Sequence, residues 1–189
     1  LKSIALGQLD RIERMLSDLQ QYGRPIELNR QALAFSDLMN STIHIVGSEA
    51  NRHNVRLEVS DDTRGLPILG DREQLTRAVS NLLLNAVQAS HSTDVVYVAG
   101  RIEGPWMRIS VVDSGEGFDD QVRDKLFLPF FTTKDYGTGL GLSNTRKIVE
   151  LHDGHLRARA RQSGGAEFAI WLPLCVDAES AVGERSRMT

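Results

Sequence analysis

The stretch FLPFFTTKDYGTGLGLS, residues 127–143, couples a loop rich in Phe and Thr to a run of glycines at Gly137, Gly139 and Gly141. An apolar pattern then begins at Leu142 and continues through Ile148, Val149 and Leu151, which predicts a helix. A glycine-rich loop that opens a helix is suited to holding phosphate. Without a Cβ, backbone N–H groups can approach an anion, and the helix N-terminus adds partial positive charge. A plain loop and cap would read the same way. Two other phosphate-binding patterns are excluded, because no Gly here is followed by Lys and then Ser or Thr. Nor does a strand lead into the glycines, and Arg159 to Arg161 stand where a dinucleotide site would place its acid.

Composition narrows the rest. At 189 residues, with 41% apolar and 25% charged residues, the chain fits one globular domain with an appendage. A net charge of −3 and a pI near 6.0 argue against nucleic acid as a partner. The lone Cys175 excludes an internal disulfide and fits a reducing, cytoplasmic setting. No run approaches the roughly 18 apolar residues of a membrane span. Leu1 in place of an initiating Met reads as a piece excised from a longer protein, whose remainder could hold a membrane anchor.

Taken in order, Leu9, Ile12, Leu16 and Leu19 form a heptad-like seam over residues 1–21, for packing on other helices or on the domain itself. Tyr22-Gly23-Arg24-Pro25 stops that helix and marks a domain boundary. A short strand is expected at Ile26 to Leu28, then a helix capped by Ser36 and running to about Arg52. Val55 to Val59 alternates as a strand before a loop at Asp61 to Gly65, and Pro67 to Asp71 is a brief strand.

The next helix, Asp71 to Ser90, is apolar around most of its circumference, yet Asn81, Asn85 and Gln88 recur at i, i+4 and i+7. Such a buried carboxamide stripe needs partners, either backbone groups or a ligand or hydrated cation. Two antiparallel strands, Val95 to Arg101 and Trp106 to Val112, then lead into Asp113-Ser114-Gly115-Glu116-Gly117-Phe118. This is either a turn or a fixed carboxylate beside a loop open to a flat ligand. Asp119 to Leu126 reads as a short helix, and a final hairpin, His155 to Arg161 with Ala166 to Leu172, turns at Ser163-Gly164-Gly165. The five histidines lack metal-ligand spacing. Residues 175–189 are polar and aperiodic, and read as a disordered tail.

In this order the pieces resemble the catalytic ATP-binding domain of bacterial sensor histidine kinases, within the gyrase–chaperone–histidine kinase–MutL superfamily. Asn81 to Ala89 is similar to the N box, Asp113 to Gly117 to the first glycine box, Leu128 to Lys134 to the F box, and Gly137 to Ser143 to the second glycine box. The PFFTTK and GTGLGLS wording resembles the nitrogen-regulation type. The resemblance covers residues 24–174 and implies an α+β, two-layer sandwich of the Bergerat kind: a mixed, mostly antiparallel sheet on three helices.

It implies further that ATP lies under a lid over residues 130–138. Asp113 would accept the adenine amino group, Asn85 would hold Mg2+ with Asn81 nearby, and the amides of Gly139, Leu140, Gly141 and Leu142 would cradle phosphates. Lys134 would reach the terminal phosphate, which makes Asn81 and Lys134 the expected catalytic pair. Gly115, Gly117, Phe118, Thr132, Thr133, Gly137, Thr138 and Ser143 complete the implied nucleotide contacts. So does Gln88, at a position where many relatives carry a base.

Hydrolysing members of the superfamily carry a Glu where Asn81 stands, so transfer to a protein imidazole is implied over hydrolysis. No His precedes His44, and no H-E-x-x-N-P motif occurs. Residues 1–23 therefore resemble only the second helix of the dimerisation hairpin. The implied partners are a phosphoacceptor His helix of the same or a partner protomer, a response regulator receiver domain, and a second copy of the full-length protein in a homodimer. An anti-sigma-type serine kinase and a nucleotide-dependent binding module or pseudokinase are the alternatives.

Overall fold

A computed structural model describes residues 26–134 and 137–175. The predicted helix of residues 1–21, the boundary at 22–25 and the tail from Val176 lie outside the described residues. The elements are β1 (Gln31–Leu33), α1 (Phe35–His53), β2 (Arg56–Asp62), β3 (Ile68–Gly70), α2 (Arg72–Ala89), β4 (Val95–Glu103), β5 (Trp106–Val112), α3 (Asp120–Arg123), α4 (Gly141–Leu151), β6 (His155–Ala160) and β7 (Ala166–Pro173).

Five strands form one sheet in the order β2-β4-β5-β7-β6, and β1 pairs separately with β3. Only β2 and β4 run parallel; every other neighbour in the larger sheet is antiparallel. The parallel pair needs a crossover, which β3 and α2 supply. One face of the sheet carries Val96, Val98, Met107, Ile109, Val111, Phe168 and Ile170, all buried against the helices in one core with Leu75, Val79, Leu82 and Leu83 of α2. This is the expected mixed, two-layer architecture, with α1, α2 and α4 as its helical layer and α3 as an added single turn. No described helix is long and apolar enough to cross a membrane.

Several expected boundaries moved, each for a tertiary reason. The first strand lies at Gln31–Leu33, not Ile26 to Leu28, because pairing with β3 sets Leu33 opposite Ile68 and buries both. Ser36 does not cap α1. That helix starts two residues earlier, behind Ala34, with no side-chain cap, and Phe35 is buried as its first residue. The Phe35 ring packs on Gly100 of β4, where a Cβ would lie 2.7 Å from the ring. Burying an aromatic ring outweighs one hydroxyl cap. Asp61 and Asp62 belong to β2 and pair with β4, and the turn is confined to the residues after them. The helix expected over Asp119 to Leu126 is regular only from Asp120 to Arg123, behind an Asp119 cap.

Asp71 knots three segments together. Its carboxylate accepts from Gln74 N at 3.0 Å, capping α2, and from Asn29 N at 2.8 Å. Its own N–H donates to His152 Nε2 at 2.9 Å. Buried His152 donates in turn from Nδ1 to Ile148 O at 2.8 Å, closing the last turn of α4. The ring is thus a neutral imidazole. Burial holds its pKa below the ordinary 6.5, the Ile148 carbonyl opposes that shift, Arg30 adds to it, and Asp71 and Asp153 oppose it.

A depressed folded pKa means that the unfolded chain takes up the proton first. The stability from neutral His152 is therefore full above about 6.5 and lost as pH falls through the lowered folded value. Urea unfolding at about pH 7.5 and about pH 5 should show a lower midpoint in acid, and His152→Gln should narrow that difference.

Candidate functional site

A cavity of about 1520 Å3 opens between α2, α4 and the loops 113–119 and 131–141. It exceeds the roughly 300–1,000 Å3 of most small-molecule sites. Asp113, the first residue after β5, is 97% buried, with a relative exposure of 3%. Its Oδ1 accepts from Gly115 N at 3.0 Å and Ala166 N at 3.1 Å. Arg161 Nη1 donates to its carbonyl oxygen at 3.0 Å. All described hydrogen bonds to the carboxylate end on Oδ1, so the group is fixed in orientation while the residue lines the cavity. Burial raises the carboxyl pKa. The amides of Gly115 and Ala166 oppose the rise, as do the charges of Arg161 and Lys134.

The loop around Asp113 closes on itself through glycines. A Cβ on Gly115 would lie 2.2 Å from Ala89 O at the end of α2. One on Gly165 would lie 2.1 Å from Asp113 O, where φ is also +82°. Gly117 has a positive φ and rests on Gly165. Phe118 lines the cavity and meets Phe168 with ring centroids 6.1 Å apart.

Across the cavity stands the N-terminus of α4. Leu140 precedes it without a side-chain cap, and the first turn carries no acidic residue. Gly139, Leu140, Gly141 and Leu142 all line the cavity. Uncapped amides with a favourable dipole are a site for anions.

The carboxamide stripe of α2 is not buried as the sequence suggested. Asn81 and Asn85 are half-buried and Gln88 is exposed, because this face looks into the cavity rather than into a neighbour. The partners of the stripe are side chains, not backbone. Asn81 Nδ2 donates to Thr145 Oγ1 at 3.0 Å, and that hydroxyl donates to Gly141 O at 3.0 Å. Lys134 Nζ donates to Asn85 Oδ1 at 3.2 Å and to Gln88 Oε1 at 2.9 Å. Loss of water around its ammonium lowers the Lys134 pKa, and Asp113 opposes that.

The remaining expected residues divide. Thr132, Thr133, Gly137 and Thr138 line the cavity, while Gly115 and Ser143 do not. Ser143 is buried with its Oγ donating to Leu140 O at 3.0 Å, which fixes the loop from behind. Sequence reasoning missed Ala166, Arg161 and Thr145 as supports. Ala166 and Arg161 read only as parts of a hairpin, and nothing in their spacing points 53 or 48 residues back to Asp113. Thr145 carried a usable signal: it lies four residues after Gly141 on the same helical face.

Residues 70–176 match the family described as histidine kinase-, DNA gyrase B-, and HSP90-like ATPases. The sensor histidine kinase ZraS of Escherichia coli is 33% identical over 183 residues, covering 97% of this chain and 39% of that protein. The sensor protein FixL of Bradyrhizobium diazoefficiens is 35% identical over 172 residues, covering 89% of this chain and 34% of that protein. The chain thus spans about two-fifths or less of the length of these curated relatives. Among solved structures, the catalytic domain of histidine kinase ThkA superposes with a TM-score of 0.70 at 28% identity, covering 78% of this chain and 96% of that one. ThkA in complex with its response regulator TrrA gives a TM-score of 0.78 at 25% identity, covering 91% of this chain and 50% of that chain.

Gly165→Ala should cost about 1–3 kcal/mol in urea unfolding, since a side chain there meets backbone and a positive φ together. The cavity-facing Thr133→Ala should leave stability within about 0.5 kcal/mol.

Proposed function

Because the chain belongs to the family of histidine kinase-, DNA gyrase B- and HSP90-like ATPases, we propose that it is the ATP·Mg2+-binding catalytic domain of a two-component sensor histidine kinase. In this reading it transfers the γ-phosphoryl group of ATP to a histidine on a separate helix, for relay to a receiver-domain aspartate. The observation that carries the reading is Asp113, a buried carboxylate with Oδ1 locked by two amides and its residue on the wall of the cavity. An exocyclic amino group donating to that carboxylate reads adenine against guanine, which presents an oxygen there.

With the base at Asp113, the polyphosphate runs toward Gly139 to Leu142 and the start of α4, whose amides would take anionic oxygens, Leu140 N exchanging its 3.4 Å bond to Thr138 Oγ1 for one of them. Asn85 would hold Mg2+ through Oδ1. The fit is supported by a cation already seated on that oxygen, the Lys134 ammonium. Neutral carboxamide oxygens in small number suit an ion that keeps its waters and takes phosphate oxygens as ligands. When bound, the ion would neutralise charge developing on the phosphoryl oxygens. Lys134 brings a point charge from the lid for the terminal phosphate.

Asn81 holds the cradle in place through Thr145 and offers no carboxylate to take a proton from water. Catalysis then reduces to positioning and charge stabilisation, with the nucleophile delivered from outside the pocket. The acceptor helix, the receiver domain, a homodimer of the full-length protein and a cytoplasmic setting belong to the same proposal. The similarity to ZraS and to ThkA, solved with its response regulator, supports it.

Asp113→Asn keeps an oxygen for the Gly115 and Ala166 amides but turns an N–H toward the base, so the fold should survive. Calorimetry should show ATP affinity reduced about tenfold or more, equal to about 1.4 kcal/mol, with inorganic triphosphate unaffected. Equal losses for both ligands would remove Asp113 from base recognition. Asn85→Ala should abolish the Mg2+-dependent part of ATP binding and leave the circular dichroism spectrum unchanged. Metal-enhanced binding at the wild-type level would take Asn85 out of the site.

A further inference from the structure

Asn85 and Gln88 lie three residues apart on one face of α2, and both carboxamide oxygens converge on a single ammonium, at 3.2 Å and 2.9 Å from Lys134 Nζ. The lysine backbone is fixed as well. Thr132 Oγ1 accepts from Lys134 N at 3.1 Å, and Gly137 N donates to Lys134 O at 3.1 Å. A Cβ on Gly137 would lie 2.3 Å from Thr132 Oγ1, so this turn is closed by the glycine. A solvated surface lysine keeps up to about 2 kcal/mol of rotamer entropy. Here the tip is held by two oxygens, the main chain by a turn, and Asp113 lies within its field.

We propose that Lys134 is a tethered cation seated at the divalent-ion position on Asn85, so that metal entry and release of the Lys134 ammonium are one exchange. This rests on the nucleotide reading above and deepens it. Asn85 presents one oxygen. An ammonium at hydrogen-bond distance and a divalent ion at about 2.1 Å cannot share it, because the two centres would stand only a few ångström apart with like charge. Gln88 is a positioning residue in this scheme. It serves as the second seat of the lysine. The exchange also conserves the sign of charge at Asn85, whose Oδ1 faces a cation before and after it.

The test uses ADP, which lacks the γ-phosphate that Lys134 is proposed to reach, and follows its binding by calorimetry as Mg2+ is raised. Lys134→Met keeps the apolar stem and removes the competitor, and Gln88→Ala weakens the seat while leaving the charge in place. Both variants should reach half of the Mg2+-induced gain in ADP affinity at about three- to tenfold less Mg2+ than wild type, the factor by which a mostly occupied competitor dilutes free Asn85. Metal-free ADP affinity is read separately, and a merely structural role for either residue would change that value without moving the Mg2+ midpoint. An unchanged or raised midpoint in both variants, with wild type binding ADP·Mg2+, would overturn the exchange alone. Failure of wild type to bind ADP with or without Mg2+ would overturn the nucleotide reading, and the exchange with it.

Discussion

The site depends first on how α4 is held against α2. Gly141 sits so close to Asn81 that a Cβ would lie 2.5 Å from its Oδ1, and Asn81 Nδ2 bonds the Thr145 hydroxyl, which returns to Gly141 O. This closed circuit fixes the rotation of α4 about its own axis, and with it the direction in which the first-turn amides point. A small rotation would aim those amides at the loop instead of the cavity. The far end of the same helix is pinned by His152 to Asp71, so α4 is tied near both of its termini to α2, once at the middle of that helix and once at its N-cap. The direction of the first-turn amides is thus set by close packing at Gly141 and by hydrogen bonds of the Asn81, Thr145 and His152 side chains.

The charges follow a similar economy. A carboxylate as buried as Asp113 is costly unless bonded, and two amides from different segments meet that cost. Their combined effect opposes the rise in pKa that burial imposes, which favours the ionised form a donor-bearing base requires. The α4 side of the cavity has the opposite character, with backbone amides and neutral carboxamides on its wall and the cations Lys134, Arg72 and Arg77 among its lining. In the proposed reading, the pocket separates a fixed reader of the base from an exchangeable cation on Asn85.

Much of this was legible in the residues. The glycines, the aromatic loop and the carboxamide stripe all reach the cavity wall, and the two strands read between Val95 and Val112 supply the core beneath the helices. What was not legible came from contacts that join distant segments. Ser36 has the chemistry of a cap, but Phe35 and Gly100 decided where the helix begins. The stripe on α2 was read as buried because its neighbours are apolar, whereas the sheet and α1 take those neighbours and leave the stripe at the cavity wall. Arg161, read only as standing where an acid was wanted, braces the carbonyl of Asp113. Spacing along a chain records which residues share a face. It does not record which other segment that face will meet.

Asn81 shows how one position can settle the kind of chemistry. A carboxylate there would face the same cavity and could take a proton from water, but it would also lose the N–H that Asn81 gives to Thr145 and would place negative charge beside the phosphate cradle. An amide gives up the base and keeps the cradle aligned. A site without a base close to the phosphates protects ATP from water for as long as no better nucleophile arrives. A neutral imidazole brings its own lone pair and needs no proton removed before it attacks. In the proposed reading, the pocket favours transfer over hydrolysis by leaving out one group, and the alignment that Asn81 supplies through Thr145 and Gly141 keeps the first turn of α4 in place without it.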